Sequence, residues 1–280
     1  GTDKGLYRSD RSGTSVQKQN LTPRNPAMRV AAMLEVSNKL LIGGPEGLWE
    51  KDLASDEDKA TQPDWAKAIA NKFITDIQRA PDGALWVATS QEGIYRIDME
   101  SGALQNFKPD LKNSQTLSHR NVSNLLFDSR GWLWIAMQGG GVDVLKSPDG
   151  KATATFKHLR KEQGLPNDLV NKVLEDARGD IWVSTDEGLA KIHPEQLKVT
   201  AITEPDGVAI TGYWSNAGAK LPHGDLIFGG VGGLTIVRPS LMKDYSFEPP
   251  VVITSIQAGG KTIAANQNRF FGTDPEKLVI

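Results

Sequence analysis

The sequence contains no cysteine, which excludes disulfide bonds, thiolate metal sites and cysteine nucleophiles together. It also has no run of 18 apolar residues, the length that a membrane-spanning helix requires. Neither sign of charge dominates, because 32 basic and 34 acidic side chains leave a net charge of −2. The chain therefore has no overall attraction to nucleic acid or to anionic lipid. The four histidines show no zinc-site spacing, and we expect no metal and no cofactor.

What the sequence does contain is an internal repeat. Trp86, Trp134 and Trp182 follow one another at intervals of 48 residues. Each lies in a short apolar segment that follows a turn with glycine, and each is followed by a further glycine and an aliphatic residue. Repeats of this length are typical of proteins built from stacked β or helical units. Because the repeats here show no 3.6-residue periodicity of apolar residues, the β alternative is favoured.

Two degenerate copies flank the three good ones. Leu41 and Ile227 occupy the tryptophan position in these copies. Residues 1–6 match residues 184–189, so the sequence holds five near-complete repeats and the tail of a sixth. We therefore expect the chain to be a piece of a longer protein that begins within a repeat.

Each repeat reads as four short strands. An apolar run, a glycine turn, the tryptophan strand and an alternating strand after the second glycine come in that order, and residues 104–107, 155–158 and 197–199 are candidates for a fourth strand. Four strands in about 45 residues make one blade of a β-propeller. The sequence thus predicts an all-β propeller of four-stranded antiparallel blades, with about five and a half blades present. Only residues 64–71 look helical, as an insertion within one repeat.

A family resemblance rests on two stretches. Residues 117–135 and 164–182 both combine a polar loop, an apolar strand, a hairpin with Arg-Gly and a tryptophan strand, and they resemble the two-component regulator propeller repeat. The resemblance implies a periplasmic sensor region whose parent is membrane-anchored, with a histidine kinase or diguanylate cyclase as output. It further implies a small-molecule or oligosaccharide ligand and a homodimeric parent.

A second resemblance concerns the C-terminal part. Residues 228–256 look like a last blade that runs into a triple-tyrosine domain, an immunoglobulin-like module. We accordingly divide the chain into a partial propeller at 1–245 and a truncated start of that module at 246–280. About 35 residues are too few for a whole sandwich.

The repeats also depart from one another. Ala80 stands in the second copy where the third and fourth copies carry Asp128 and Asp176. The first and fifth copies lack the tryptophan.

Candidate ligand residues follow from propeller geometry. The loop before the first strand and the loop after the tryptophan strand open on the same face, and polar side chains there can hydrogen-bond sugar hydroxyls. The recurring tryptophans are assigned to the core, whereas Trp214 lies outside the repeated position. The residues predicted to contact ligand are His119, Arg120, Asn121, Gln138, Asn167, Asp168, Glu187 and Trp214.

Two other functions remain open at this point. The fold also supports enzymes, such as polysaccharide lyases or glycosidases, although no paired carboxylates or Gly-x-Ser-x-Gly elbow is evident and no catalytic residue is assigned. A WD-type protein scaffold is the other alternative, but no tryptophan here is followed by aspartate.

Overall fold

The structure is a computed structural model that describes residues 1–10, 12–19, 28–55, 59–148, 154–210, 212–242, 255–258 and 261–264. The chain divides into two compact units, Gly1–Leu241 and Met242–Ile280. In the described residues no helix is both long and apolar enough to cross a membrane.

The first unit is a five-bladed β-propeller of small antiparallel sheets, which confirms the predicted fold class. Blade one contains β3 (Ala32–Val36), β4 (Lys39–Gly44) and β5 (Gly47–Asp52). Blade two contains β6 (Ile74–Arg79), β7 (Leu85–Thr89), β8 (Ile94–Ile97) and β9 (Leu104–Phe107). Blade three contains β10 (Val122–Phe127), β11 (Leu133–Met137), β12 (Gly141–Leu145) and β13 (Lys157–Leu159). Blade four contains β14 (Val170–Glu175), β15 (Ile181–Thr185), β16 (Gly188–His193) and β17 (Lys198–Ile202). Blade five contains β18 (Tyr213–Lys220), β19 (Leu226–Gly230) and β20 (Gly233–Val237).

Two separate hairpins accompany the blades. The strands β1 (Leu6–Ser9) and β2 (Val16–Gln19) pair in the first unit, and Leu6 packs against blade one beside Ile42. In the second unit, β21 (Ser255–Ala258) pairs with β22 (Lys261–Ala264). The remainder of the predicted triple-tyrosine segment lies outside the described residues.

Strand order within every blade follows the chain, so each sheet is a simple antiparallel meander. The first strands β6, β10, β14 and β18 neighbour one another in sequence order and form the inner edge of the ring. Gly83, Gly131 and Gly179 have φ angles of 87°, 79° and 83° in the turns that follow β6, β10 and β14. Such angles favour glycine, and they explain why the repeat keeps it at this turn.

Blades pack face to face through an apolar core. We call the face that meets the next blade in the chain the leading face, and the opposite one the trailing face. Trp86, Trp134 and Trp182 lie on leading faces and are at most 1% exposed, which confirms their assignment to the core. Their indole rings fill the wedge between sheets, each against the trailing-face side chains of the following blade.

The remaining strand expectations need small corrections. The fourth strand of blade three is Lys157–Leu159 rather than 155–158, and that of blade four is Lys198–Ile202 rather than 197–199. In each case pairing with the third strand sets the boundary. The helical insertion forms a 3₁₀ helix at Asp64–Ile69 that buries Ala66 and Ile69.

Candidate functional site

The two kinds of loop predicted to share one face do meet there, and they join neighbouring blades. The backbone amide of Gly93 donates to the carbonyl of Arg120 at 2.9 Å, which ties blade two to the loop before β10. One blade further on, the amide of Gly139 donates to the carbonyl of Asp168 at 3.1 Å. We call this side of the propeller the upper face.

The inner strands β6, β10 and β14 each begin with a one-residue bulge close to the upper face. The register shifts between Ile74 and Asp76 and again between Val122 and Asn124. The extra residues carry hydroxyls that bond the next inner strand: Thr75 Oγ1 donates to the Val122 carbonyl at 2.7 Å, and its counterpart Ser123 donates to the Val170 carbonyl at 2.6 Å. Bulges thus turn polar side chains toward the axis.

A buried polar chain runs along that axis. Asn124 donates through Nδ2 to Asp76 Oδ2 at 2.6 Å, and its Oδ1 accepts the Val173 amide at 3.0 Å. Lys172 Nζ donates to Asn216 Oδ1 at 2.6 Å, and Asn124 Nδ2 lies 3.1 Å from the same oxygen. Burial raises the pKa of Asp76 and lowers that of Lys172, while each charge partly offsets the shift of the other.

Asn216 reaches the axis because blade five has a larger bulge. The register of β18 shifts between Tyr213 and Gly218, across a longer stretch than in the other inner strands. Asn216 adopts a φ of 60° within it, a left-handed conformation that asparagine tolerates better than most residues. The asparagine therefore contacts Lys172 and Asn124, and its Nδ2 lies 3.5 Å from the Ala31 carbonyl.

A cavity of about 570 Å³ opens above this row of buried polar side chains, and we call it the axial cavity. Its walls come from residues 1–3, the segment just before β3, the bulges of β6, β10 and β18 with the residues before them, and the loop after β11. The lining residues are Gly1, Thr2, Asp3, Arg29, Val30, Ala31, Phe73, Thr75, Asn121, Val122, Ser123, Gln138, Ser215, Asn216 and Ala217.

The axial cavity is polar and carries little net charge. The two charged side chains of its described lining pair with each other, with Arg29 Nε 3.0 Å from Asp3 Oδ1. The Arg29 guanidinium also stands 5.5 Å from the centre of the Phe73 ring. Amides and hydroxyls supply the remaining polar groups, and this mixture of donors and acceptors suits an uncharged ligand rich in hydroxyl groups.

Two of the eight predicted ligand residues line this cavity. The Asn121 side-chain amide has no hydrogen-bond partner among the described residues, so it is free to meet a ligand. Gln138 Nε2 donates to the Val170 carbonyl at 3.0 Å and to Asn171 Oδ1 at 2.8 Å. Its Oε1 has no partner in the described part of the chain.

The other six lie on the upper face without lining the cavity. His119 Nδ1 accepts a hydrogen bond from the Asn121 backbone amide at 3.2 Å, and the carbonyl of Arg120 accepts one from the Gly93 amide. Asn167 Oδ1 accepts the Leu169 amide at 2.7 Å, and Asp168 Oδ1 accepts the Lys161 amide at 2.9 Å.

Glu187 and Trp214 remain exposed. Glu187 lies 3.5 Å from Lys161 Nζ, and Trp214 is 61% exposed on blade five, next to cavity residue Ser215. Tyr213, in contrast, is buried and bonds Thr235 at 2.7 Å.

The prediction missed Thr75, Ser123, Ser215 and Asn216. A signal for the first two was present, because a polar pair follows the first apolar residue of the inner strand at the repeat interval: Thr75-Asp76, Ser123-Asn124 and Asn171-Lys172. No comparable signal marks Ser215 and Asn216, since the larger bulge breaks the spacing.

A second polar group lies under the loop before β10. His158 Nδ1 is 2.6 Å from Asp143 Oδ1, and the other carboxylate oxygen accepts the Ser118 amide at 2.7 Å. His158 Nε2 is 2.7 Å from the Ser114 carbonyl. The hydrogen bond that His158 donates to Asp143 raises the pKa of His158, and burial raises the pKa of Asp143.

This group has the composition of a catalytic triad but a different geometry. The nitrogen that would activate a serine faces a backbone carbonyl, and the Ser118 hydroxyl instead donates to the Gly140 carbonyl at 3.1 Å. The arrangement therefore anchors the loop. Among the described residues, no group of three histidine or carboxylate side chains could hold a metal ion.

Comparison with known proteins locates a family signature in blade four. Residues 164–187 match the model of the two component regulator propeller family. No curated protein matches the chain.

Several solved structures share the fold. An extracellular domain of a hybrid two-component system from B. thetaiotaomicron superposes with a TM-score of 0.76 at 19% identity, over 95% of this chain and 36% of that one. A second such domain from the same organism gives 0.62 at 19% identity, over 93% and 43%. Virginiamycin B lyase from Staphylococcus aureus gives 0.58 at 16% identity, over 84% and 72%. The chain thus spans about two fifths of the length of these extracellular domains, and its fold is shared by extracellular domains of two-component systems and by an enzyme.

Proposed function

We propose that this chain is a ligand-sensing propeller from the periplasmic region of a bacterial two-component signalling protein. Support comes from the family signature at residues 164–187 and from the likeness to two extracellular domains of hybrid two-component systems. In this proposal the parent protein is anchored in the membrane, forms a homodimer, and carries its output, a histidine kinase, outside this chain.

The axial cavity is the observation that carries the assignment of the ligand site. Its volume of about 570 Å³ lies within the range of small-molecule sites, roughly 300–1,000 Å³. Its walls come from blades two, three and five, so a ligand held there contacts several sheets at once. A change in their spacing can then report occupancy, as sensing requires.

The ligand that fits these walls is a short oligosaccharide. Among the described residues, the Asn121 side-chain amide and the Gln138 Oε1 atom have no partner, and the Thr75 and Ser123 oxygens keep free lone pairs after donating their protons. Apolar side chains such as Val30 and Phe73 provide surface for the C–H faces of a sugar ring. The exposed indole of Trp214 would stack a further sugar residue beyond the cavity.

Isothermal titration calorimetry of the whole chain against a panel of neutral and acidic oligosaccharides tests this function. We expect one panel member to bind at 1:1 stoichiometry, with binding weakened about tenfold or more in Asn121→Ala. Glu187→Gln is the matched control, because Glu187 shares the upper face but does not line the cavity. Absence of heat with every sugar and with peptide pools would contradict sensing by this domain, whereas binding that ignores Asn121→Ala would contradict the cavity.

The lining of the same cavity gives less support to an enzymatic function. Hydrolysis of a glycosidic bond requires two carboxyl groups that flank it. The described lining offers one carboxylate, Asp3, which is engaged with Arg29. Release of reducing ends from a bound oligosaccharide by the purified chain would reverse this preference.

A further inference from the structure

The hydroxyl groups that line the axial cavity donate their protons to the protein. Thr75 Oγ1 donates to the Val122 carbonyl at 2.7 Å, and Ser123 Oγ donates to the Val170 carbonyl at 2.6 Å. A carbonyl oxygen can only accept a hydrogen bond, so the direction of both bonds is fixed. Each hydroxyl therefore presents lone pairs, and no proton, to the cavity.

A carboxylate outside the cavity fixes the bonds around Gln138 and Ser215. The carboxylate of Asp186 only accepts, so the Asn171 atom 2.8 Å from its Oδ1 is the donor Nδ2. Asn171 Oδ1 then accepts from Gln138 Nε2 at 2.8 Å and from Ser215 Oγ at 3.1 Å. Gln138 Nε2 donates its other proton to the Val170 carbonyl at 3.0 Å. Ser215 is thus left with lone pairs, and the free atom of the Gln138 amide is Oε1.

Four oxygens from blades two, three and five therefore act toward a ligand as acceptors only. We call them the acceptor wall, and they are Thr75 Oγ1, Ser123 Oγ, Gln138 Oε1 and Ser215 Oγ. The fourth hydroxyl of the described lining, on Thr2, also donates within the protein, to the Gly5 carbonyl at 3.0 Å. The side-chain donors of the described lining that remain lie outside this wall, on Asn121, Arg29 and Asn216.

Such a wall distinguishes ligand groups by their protons. A sugar hydroxyl can donate to it, whereas a carboxylate or sulfate has no proton to donate and would set its own lone pairs against those of the wall. Either anion would also lose its hydration without compensation.

An ammonium group could donate, but its charge would not be balanced. The carboxylate of the described lining, on Asp3, is paired with Arg29 at 3.0 Å. The buried cation of Lys172 lies beneath the cavity and bonds Asn216 at 2.6 Å. A buried cation without a free carboxylate is costly, so an amino sugar is disfavoured as well.

We infer, on the basis of the proposed function, that the axial cavity selects a neutral sugar through the protons of its hydroxyl groups. The acceptor wall receives these protons, and it discriminates against uronate, sulfated and amino sugars. The class of ligand is therefore narrower than the size and polarity of the cavity alone would allow.

Calorimetry of the whole chain with matched sugars tests the selection by charge. The probes are neutral tri- and tetrasaccharides of glucose, galactose, mannose, xylose and arabinose, beside uronate, sulfated and glucosamine oligosaccharides. We expect binding among the neutral sugars. The counterpart of the best neutral sugar with one primary alcohol oxidised to a carboxylate, or with one hydroxyl replaced by an amine, should bind at least about tenfold more weakly.

Fluorinated analogues of the best neutral sugar test the direction of the hydrogen bonds. Replacing one hydroxyl at a time by fluorine keeps a small electronegative atom but removes the proton. We expect at least one such analogue to bind about tenfold more weakly, because the wall then faces a group that cannot donate.

Variants of Thr75 test the wall from the protein side. Thr75→Val replaces the acceptor oxygen by a methyl group of similar size and should weaken binding about tenfold, whereas Thr75→Ser should restore it. Thr89→Val is the matched control, because Thr89 Oγ1 also donates to a carbonyl, that of Gly93 at 2.8 Å, but does not line the cavity. We expect this control to bind the sugar as the wild type does.

The outcomes separate this inference from the function on which it depends. Absence of heat with every sugar would contradict sensing of a sugar by this chain, and the inference with it. An acidic or amino sugar that binds as tightly as the neutral ones, and is weakened by Thr75→Val, would leave the proposed function intact and overturn the selection. A neutral sugar that tolerates fluorine at every position, or that binds the Thr75→Val variant unchanged, would also overturn it.

Discussion

The indole nitrogen of Trp182 donates a hydrogen bond to Asp176 Oδ2 at 2.9 Å, from inside the interface between blades four and five. The other carboxylate oxygen of Asp176 accepts the amides of Arg178 at 2.8 Å and Asp180 at 3.1 Å. One side chain therefore closes the hairpin turn and satisfies the buried indole. Asp128 does the same for Trp134 in blade three, at 3.0 Å.

Blade two lacks this aspartate, and its tryptophan lacks the bond. Ala80 occupies the position, and Trp86 Nε1 is buried without a partner in the described part of the chain. We expect Ala80→Asp to raise the free energy of unfolding by about 1 kcal/mol through the added hydrogen bond. Urea denaturation measures the change, with Asp128→Ala as the converse variant, expected to lose about 1–3 kcal/mol. Destabilisation by Ala80→Asp would show that the pocket cannot admit the carboxylate.

The Asp143–His158 pair predicts a loss of stability toward alkaline pH. The pKa of His158 is raised in the fold because Asp143 accepts a hydrogen bond from the imidazole, and burial and the nearby Arg160 only partly oppose this shift. The stabilisation is therefore complete below the ordinary pKa of 6.5 and is lost as the pH rises through the raised value. Thermal unfolding at pH 6 and pH 9 should show a larger fall in Tm for the wild type than for His158→Gln. Equal falls would contradict a role for this pair.

Two glycines with nearly the same φ allow the cost of backbone strain to be distinguished from the cost of a steric clash. Gly141 has a φ of 72° and Gly102 of 71°. A Cβ on Gly141 would meet the Leu159 carbonyl oxygen at 2.2 Å, whereas one on Gly102 meets nothing within 4 Å. We expect Gly102→Ala to cost about 1 kcal/mol and Gly141→Ala clearly more. If urea denaturation shows the same loss of stability for both variants, the backbone of β13 moves away from the new Cβ at little cost.

The buried charges of Asp76 and Lys172 on the propeller axis should affect stability as a coupled pair. Lys172→Met leaves the buried carboxyl of Asp76 without the cation that partly offsets its burial, and we expect a loss of about 1–3 kcal/mol. Asp76→Asn in the same chain removes that uncompensated charge, so the double variant should lose less than the sum of the single variants. A double-mutant cycle in urea measures this coupling, and strictly additive losses would show that the two groups act independently.

Much of the fold was predictable because the repeat carries it. The 48-residue spacing of Trp86, Trp134 and Trp182, with glycines at fixed offsets, predicts stacked four-stranded sheets and the burial of the indoles. The same spacing predicts which loops share the upper face. The sequence also shows that Ala80 replaces the aspartate of the other copies, although only the structure shows the consequence, an indole of Trp86 without a hydrogen bond.

The candidate site was predictable only in part. Asn121 and Gln138 were named because loops of known position carry them. Asn216 was not, because it depends on the bulge of β18, which is larger than the one-residue bulges of β6, β10 and β14. Its partners Lys172 and Asn124 stand 44 and 92 residues away along the chain.

The sequence by itself determined the blades, since alternation of apolar residues and glycine turns act within about 45 residues. The tertiary structure decided the axial polar chain, the cavity above it and the Asp143–His158 anchor. These features depend on which side chains from different blades come within hydrogen-bonding or van der Waals distance. The packing of each blade on the next and the local bulges fix those distances, and neither can be deduced from the repeat along the chain.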